Sequence, residues 1–239
     1  MRNYLSLLIV LLLSFSYQSN AQVGNVLKKA KGVLEGGGLS QEDAGFGLKE
    51  ALKMGVGEAV DQLSAKNGYL ESPYKILLPE EARSIVSRVK SVPGFENVER
   101  DLILKMNEAA EISARKATPI FVDAITSITF DDALKILSGQ DDAATRYLEN
   151  RSYQNLYKAF MPVIQGALDE VKARDLWRSV VTAYNKIPLV KKTNPELDDH
   201  VNNMALVGLF SLVEKKERGI RNNADQRTTE ILRKVFGSK

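Results

Sequence analysis

The chain contains no cysteine. That excludes disulfides, thiolate nucleophiles and sulfur-bound metal, and also the lipid-modified cysteine of a bacterial lipoprotein. It contains one histidine, His200, beside Asp198 and Asp199 and four residues after Glu196. Zinc sites draw on more His and Cys than this. A Ser-His-Asp triad would have to use the same ring, yet no Gly-x-Ser-x-Gly elbow occurs. No phosphate-binding loop or dinucleotide fingerprint is present: Gly36-Gly37-Gly38 follows no strand pattern. No cofactor and no metal are implied. Past the N-terminal segment, the longest apolar run is Met204–Val213, about half of what a bilayer requires. Neither sign of charge dominates. Without residues 1–21 the chain loses one cation, Arg2, and no acid, which leaves a net charge of +2. This balance predicts no nucleic-acid partner and no general affinity for an anionic membrane. No strand signature, internal repeat or low-complexity tract appears.

The N-terminus has the layout of a secretory signal peptide. Arg2 supplies the positive start, Leu5–Phe15 the apolar run, and Ser19-Asn20-Ala21 the small residues of a cleavage site. Cleavage near Ala21 predicts a periplasmic or secreted protein. Residues 22–38 read as a flexible leader ending in three glycines. An all-helical domain is expected over 39–237.

The stretch Ala117–Leu148 organises the domain. Ile120, Phe121, Ala124, Ile125 and Ile128 recur at helical spacing. Thr129 followed by Asp132 is a capping-box spacing, and Asp131 and Asp132 suit the positive end of a helix dipole. Gly139 reads as a left-handed residue closing that helix. Asp141 and Asp142 then read as the start of the next helix in the same manner. The acids lack the alternating ligand pattern and closing Glu of a calcium loop, so capping is the reading adopted.

Helices are expected on both sides. Ser40 with Asp43 predicts a second capping box. Gly45, Gly47, Gly55 and Gly57 within that helix predict a close helix crossing. Asn67-Gly68 closes it. Pro79 opens another helix with Glu80 and Glu81. A long helix over about Glu96–Thr126 should kink or break near Arg115, because Pro119 lies inside it. Pro162 predicts a second kink. Ile187-Pro188 to Asn194-Pro195 reads as a basic loop. Met204–Val213 is apolar almost all round and predicts the central buried helix. That helix is expected to end near Lys216, with a turn over Arg218–Arg221 and a last helix over Asp225–Phe236.

Polar residues are candidates for chemistry only if the fold gathers them. Asp123, Asp131 or Asp132 with Arg146 or Arg221 would make a carboxylate–arginine site for a hydrolase or lyase. Arg221 and Arg227 border the turn Asn222–Asp225 and could clamp an anion. The preferred reading is that they pin the tail to the acids of the central stretch.

Three segments resemble one known family, the bacterial domain of unknown function 4197. They are GLKEALKMGVGEAVDQL (Gly47–Leu63), IFVDAITSITFDDALKILSGQDDAATRYL (Ile120–Leu148) and ALVGLFSLVEKKERGIRNNADQRTTEILRKVFG (Ala205–Gly237). The resemblance implies an exported all-helical protein and carries no activity, substrate or catalytic residue. The expectation is an all-α, single multi-helix bundle-like domain of about seven to nine helices with Pro-kinked members. Functionally it is a non-enzymatic periplasmic binding or interaction protein, taking a small apolar or amphipathic ligand or an envelope protein. The alternatives are the carboxylate–arginine enzyme and a cell-envelope scaffold.

Overall fold

Two helix starts obey the short-range rule that predicts them. Ser40 Oγ accepts from Asp43 N at 3.0 Å, and the Asp43 carboxylate accepts from Ser40 N at 3.3 Å. Thr129 and Asp132 repeat the exchange at 3.2 and 3.3 Å. The computed structural model describes residues 40–192 and 196–237. The proposed signal peptide (1–21), the leader (22–38) and the Asn194-Pro195 end of the basic loop lie outside the described residues.

Among the described residues there are nine α-helices and no strand. They are α1 (Gln41–Ser64), α2 (Glu80–Val89), α3 (Val98–Ala114), α4 (Ala117–Thr126), α5 (Phe130–Leu137), α6 (Ala143–Glu170), α7 (Ala173–Asn185), α8 (Asp198–Asn222) and α9 (Glu230–Phe236). A short 3-10 turn, Ala224–Gln226, joins the last two.

The expected long helix is two helices, broken at Arg115 and Lys116. Pro119 is tolerated because it sits in the first turn of α4, where its missing N–H is not needed. α6, in contrast, runs unbroken through Pro162. The C-terminal end differs from expectation: Arg218–Arg221 is no turn, because α8 continues to Asn222 and α9 starts only at Glu230 behind a Thr229 cap. Gly139 is not left-handed either; among the described glycines only Gly94 is, at φ 92°. A Cβ at Gly139 would lie 2.7 Å from the Ala143 Cβ and 3.0 Å from the Lys135 carbonyl oxygen. Its smallness, rather than its backbone freedom, lets α5 turn directly into α6.

α8 is the axis of the bundle. It packs against α6, α1 and α3, while α4 and α5 bridge α1 to α6. Ala205, Leu206, Leu209, Phe210, Leu212 and Val213 are buried, as their pattern predicts, and only Val207 looks outward at 49% exposure. Each leucine sealed this way contributes about 1.5–3 kcal/mol. α7 lies on α2, α3 and α6, and α9 closes over α1.

The connection from α1 to α2 buries Tyr69, Ile76 and Leu78, and side chains serve the backbone there. Asn107 on α3 accepts from Ile76 N at 2.8 Å and donates to Ile76 O at 2.9 Å. Tyr69 is completely buried and donates to Ala205 O on α8 at 2.8 Å. Burial pushes its hydroxyl pKa far up. The ring lies flat on α8 because residue 208 is glycine: a Cβ there would come within 2.9 Å of the Tyr69 ring and 3.1 Å of the Tyr74 Cβ. The α1 glycines divide. A Cβ at Gly47 would lie 2.5 Å from Val235 of α9, and one at Gly55 3.5 Å from Lys216 of α8. Gly45 and Gly57 have nothing within 4 Å, so no crossing explains them.

These environments predict opposite signs for one substitution. Gly208→Ala should destabilise by roughly 1–2 kcal/mol net, because the ring it strikes is fixed at both ends. Gly57→Ala should stabilise by up to about 1 kcal/mol through helix propensity alone. Urea unfolding of the two variants measures both.

Candidate functional site

Among the described residues, one deeply buried ion pair lies where α8 passes between two helix ends. Because α8 stays helical beyond Lys216, Glu217 and Arg221 stand one turn apart on its inner face. Both are buried, at 7% and 4% exposure. The Glu217 carboxylate accepts from Ala144 N at 2.9 Å, and from Thr145 N and Thr145 Oγ1 at 2.7 Å each. The two N–H donors are free groups of the first turn of α6, the positive end of its dipole. Arg221 Nε donates to Glu217 Oε1 at 2.9 Å, and Nη2 donates to Ile136 O at 2.9 Å. Ile136 belongs to the last turn of α5, the negative end of that dipole. The Phe236 ring of α9 covers the guanidinium, with Cζ 5.7 Å from the ring centre.

One salt bridge thus caps two helices at once. The Asp141-Asp142 pair does not start α6 as expected: Asp142 occupies the cap position without a side-chain cap bond, and Glu217 supplies the acceptor instead. Arg221 does pin the tail to the central stretch, but through carbonyl oxygens of α5 rather than through its acids. Arg227 turns back on the tail itself, donating to Ile220 O at 2.9 Å and Arg221 O at 2.7 Å.

The other candidates stay apart. Asp123 and Asp131 are exposed. Asp132 is held by its own capping box and by the Tyr147 hydroxyl at 3.0 Å. The Thr129 hydroxyl bond, with Tyr147 behind it, keeps its carboxyl below the usual range. Arg146 pairs with Glu214 at 2.6 Å, with Asp142 at 3.6 Å and with Glu149. The carboxylate–arginine arrangement of a hydrolase or lyase is therefore not assembled by these residues. His200 Nε2 lies 2.8 Å from Leu77 O. Among the described residues no group of three or more His, Asp or Glu side chains is placed to hold a metal ion.

Sequence reasoning missed Glu217 and Glu111, two buried acids whose carboxylates receive backbone N–H groups. Glu111 of α3 is buried beneath the turn that follows α1 and accepts from Asn67 N at 3.1 Å and Tyr69 N at 3.3 Å. Burial raises its pKa, and the backbone N–H groups of Tyr69, Asn67 and Leu70 only partly oppose that. The available signal was an acid on the apolar face of a helix pattern, Glu111 beside Ala110 and Glu217 four residues before Arg221.

The void against the Glu217–Arg221 pair is about 10 Å³, walled by Leu48, Leu52, Val213 and Phe236. That is room for at most one water. Larger concavities are open. One of about 610 Å³ runs between the C-terminal halves of α1 and α8, lined by Met54, Glu58, Gln62, Lys215, Asn223 and Gln226. Glu58 and Lys216 pair across it at 2.7 Å.

A family model described as Protein of unknown function (DUF4197) matches residues 38–237. The chain belongs to the DUF4197 family. No curated protein and no solved structure matches it. For this DUF4197 chain, function must therefore be argued from its own geometry. No helix among its described residues is long and apolar enough to cross a membrane.

Two predictions follow from the buried acids. Glu217→Leu or Arg221→Met alone should cost about 3–5 kcal/mol, since each strands a buried charge. The double variant should cost less than the sum of the two, and a double-mutant cycle by chemical denaturation reads the coupling. Glu111 binds its proton more tightly folded than unfolded, so its contribution weakens as pH rises from its ordinary pKa through the raised one. Wild type should lose stability as pH rises from the ordinary glutamate range upward. Glu111→Gln should flatten the curve there.

Proposed function

We propose that the protein is exported to the cell envelope and acts there as a non-enzymatic binding or interaction protein, engaging a macromolecular partner on its open surface. The observation that carries this reading is how the interior charges are used. Glu217, Arg221 and Glu111 are each committed to helix ends or turns, and outside them Arg146 is shared among Glu214, Asp142 and Glu149. The buried Glu217–Arg221 pair has beside it a void of about 10 Å³, too small for a substrate to meet it, and catalysis would need that access. A small apolar ligand wants an enclosed cavity of at least about 300 Å³. The void inside the bundle is about 10 Å³. The groove between α1 and α8 has the opposite character: wide and mixed, with Met54, Leu212 and Ile220 beside amides and charges of both signs, which suits the mixed surface of another protein.

The signal-like N-terminus supports an address outside the cytoplasm. The missing cysteines make the test clean, because one introduced thiol is unique. Gln62→Cys or Lys215→Cys, carrying a photo-crosslinker, should form a discrete adduct with an envelope protein. A thiol introduced at Glu170, away from the groove, should not. Native mass spectrometry of the periplasmic fraction should show a chain beginning at Gln22 without a bound small molecule. A stoichiometric co-purified metabolite, or retention of the full chain in the cytoplasm, would overturn the reading.

A further inference from the structure

The segment between α7 and α8 has features that neither the core nor the helix ends require. Lys186-Ile187-Pro188-Leu189-Val190-Lys191-Lys192 carries three lysines and no acid. The turn is tied to the end of α7: Lys186 N donates to Ala183 O at 3.2 Å and Ile187 N to Tyr184 O at 3.0 Å. Leu189 stands at its tip, completely exposed at 106%. Its backbone is in the left-handed region, φ 65°, where a Cβ crowds the next carbonyl oxygen. Glycine or asparagine would adopt that conformation more readily. A leucine here is unfavourable twice, once in the backbone and once as bare apolar surface. Strain of this kind points to use at the surface.

We propose that residues 186–192 are a lipid-contacting tip that docks the protein on a surface of anionic phospholipid. Leu189 enters the boundary between headgroups and acyl chains, and Lys186, Lys191 and Lys192 meet the phosphates around it. Charge decides the occupant. The three lysines are exposed and stand on both sides of the apolar tip within three residues of it, so a flat anionic surface satisfies all of them together. One leucine alone holds a protein on a bilayer only marginally, and neighbouring lysines supply the second signal. The near-neutral net charge of the chain is no obstacle, because the attraction is local and acts within a Debye length. The contact is peripheral: Leu189 lies on a loop, and no described helix spans a bilayer.

Co-sedimentation of the purified protein with vesicles tests this. One set is phosphatidylcholine alone, the other equal parts phosphatidylcholine and phosphatidylglycerol. Binding is expected on the anionic vesicles only, and it should fall as salt rises. Leu189→Asn should lower the partition coefficient about tenfold, while the thermal midpoint stays level or rises because asparagine suits the backbone. Lys191→Glu with Lys192→Glu should lower it by at least about twentyfold, taking about fivefold per lysine. The variants share the wild-type N-terminus, so any lipid affinity of residues 1–21 is common to all. The proposal fails if wild type stays in solution with both vesicles, sediments equally with both, or is matched by Leu189→Asn.

Discussion

Charged side chains of one helix close the backbone ends of another throughout this bundle, and its geometry depends on that exchange. The first N–H groups and last carbonyls of a helix have no partner within it, and burying them unpaired costs free energy. Short loops bring those ends against neighbouring helices instead of water. Arg115 donates to Ser64 O at the end of α1, Lys49 to Thr126 O at the end of α4, Arg221 to Ile136 O at the end of α5, and Lys105 to Val171 O just past α6. Glu217 receives the first N–H groups of α6, and Glu111 those of the turn after α1. Lys49 and Arg221 meet negative dipole ends and Glu217 a positive one, so dipole and hydrogen bonding favour the same arrangement there.

The consequence for function is largely one of allocation. A buried carboxylate with an arginine beside it is the arrangement in which catalysis is first sought. Here the Glu217 oxygens receive Ala144, Thr145 and Arg221, and the void next to them has room for a water and no more. The same pair that resembles a reactive site is the joint between α5, α6 and α8. The proposed recognition lies outside it, on the groove beside α8 and on the loop after α7.

Much of the architecture was legible in the residues. The Ser40 and Thr129 caps depend on contacts three residues apart, which any stretch of chain fixes by itself. The apolar pattern of Met204–Val213 marked the axis because burial on nearly every side leaves no polar face to write. Where reading failed, a distant partner had overruled a local preference. Asp142 had the right chemistry to cap α6, but Glu217, 75 positions along the sequence, occupies the donors. Gly139 looked like a conformational residue and is a spacer against Ala143. Arg221 and Arg227 looked like a pair and point to different carbonyls.

The sequence by itself determined the helical class, the absence of thiol chemistry, and the starts of α1 and α5, because composition, periodicity and short-range hydrogen bonding need no knowledge of distant neighbours. Only the tertiary structure decided which charges are interior and whom they serve. Glu217 and Arg221 read like any other acid and base on a polar tail. They become the joint of the bundle because α8 runs about two and a half turns past its apolar segment, into the gap between the end of α5 and the start of α6. Long-range packing sets where that gap lies, and packing is what a one-dimensional pattern leaves unwritten.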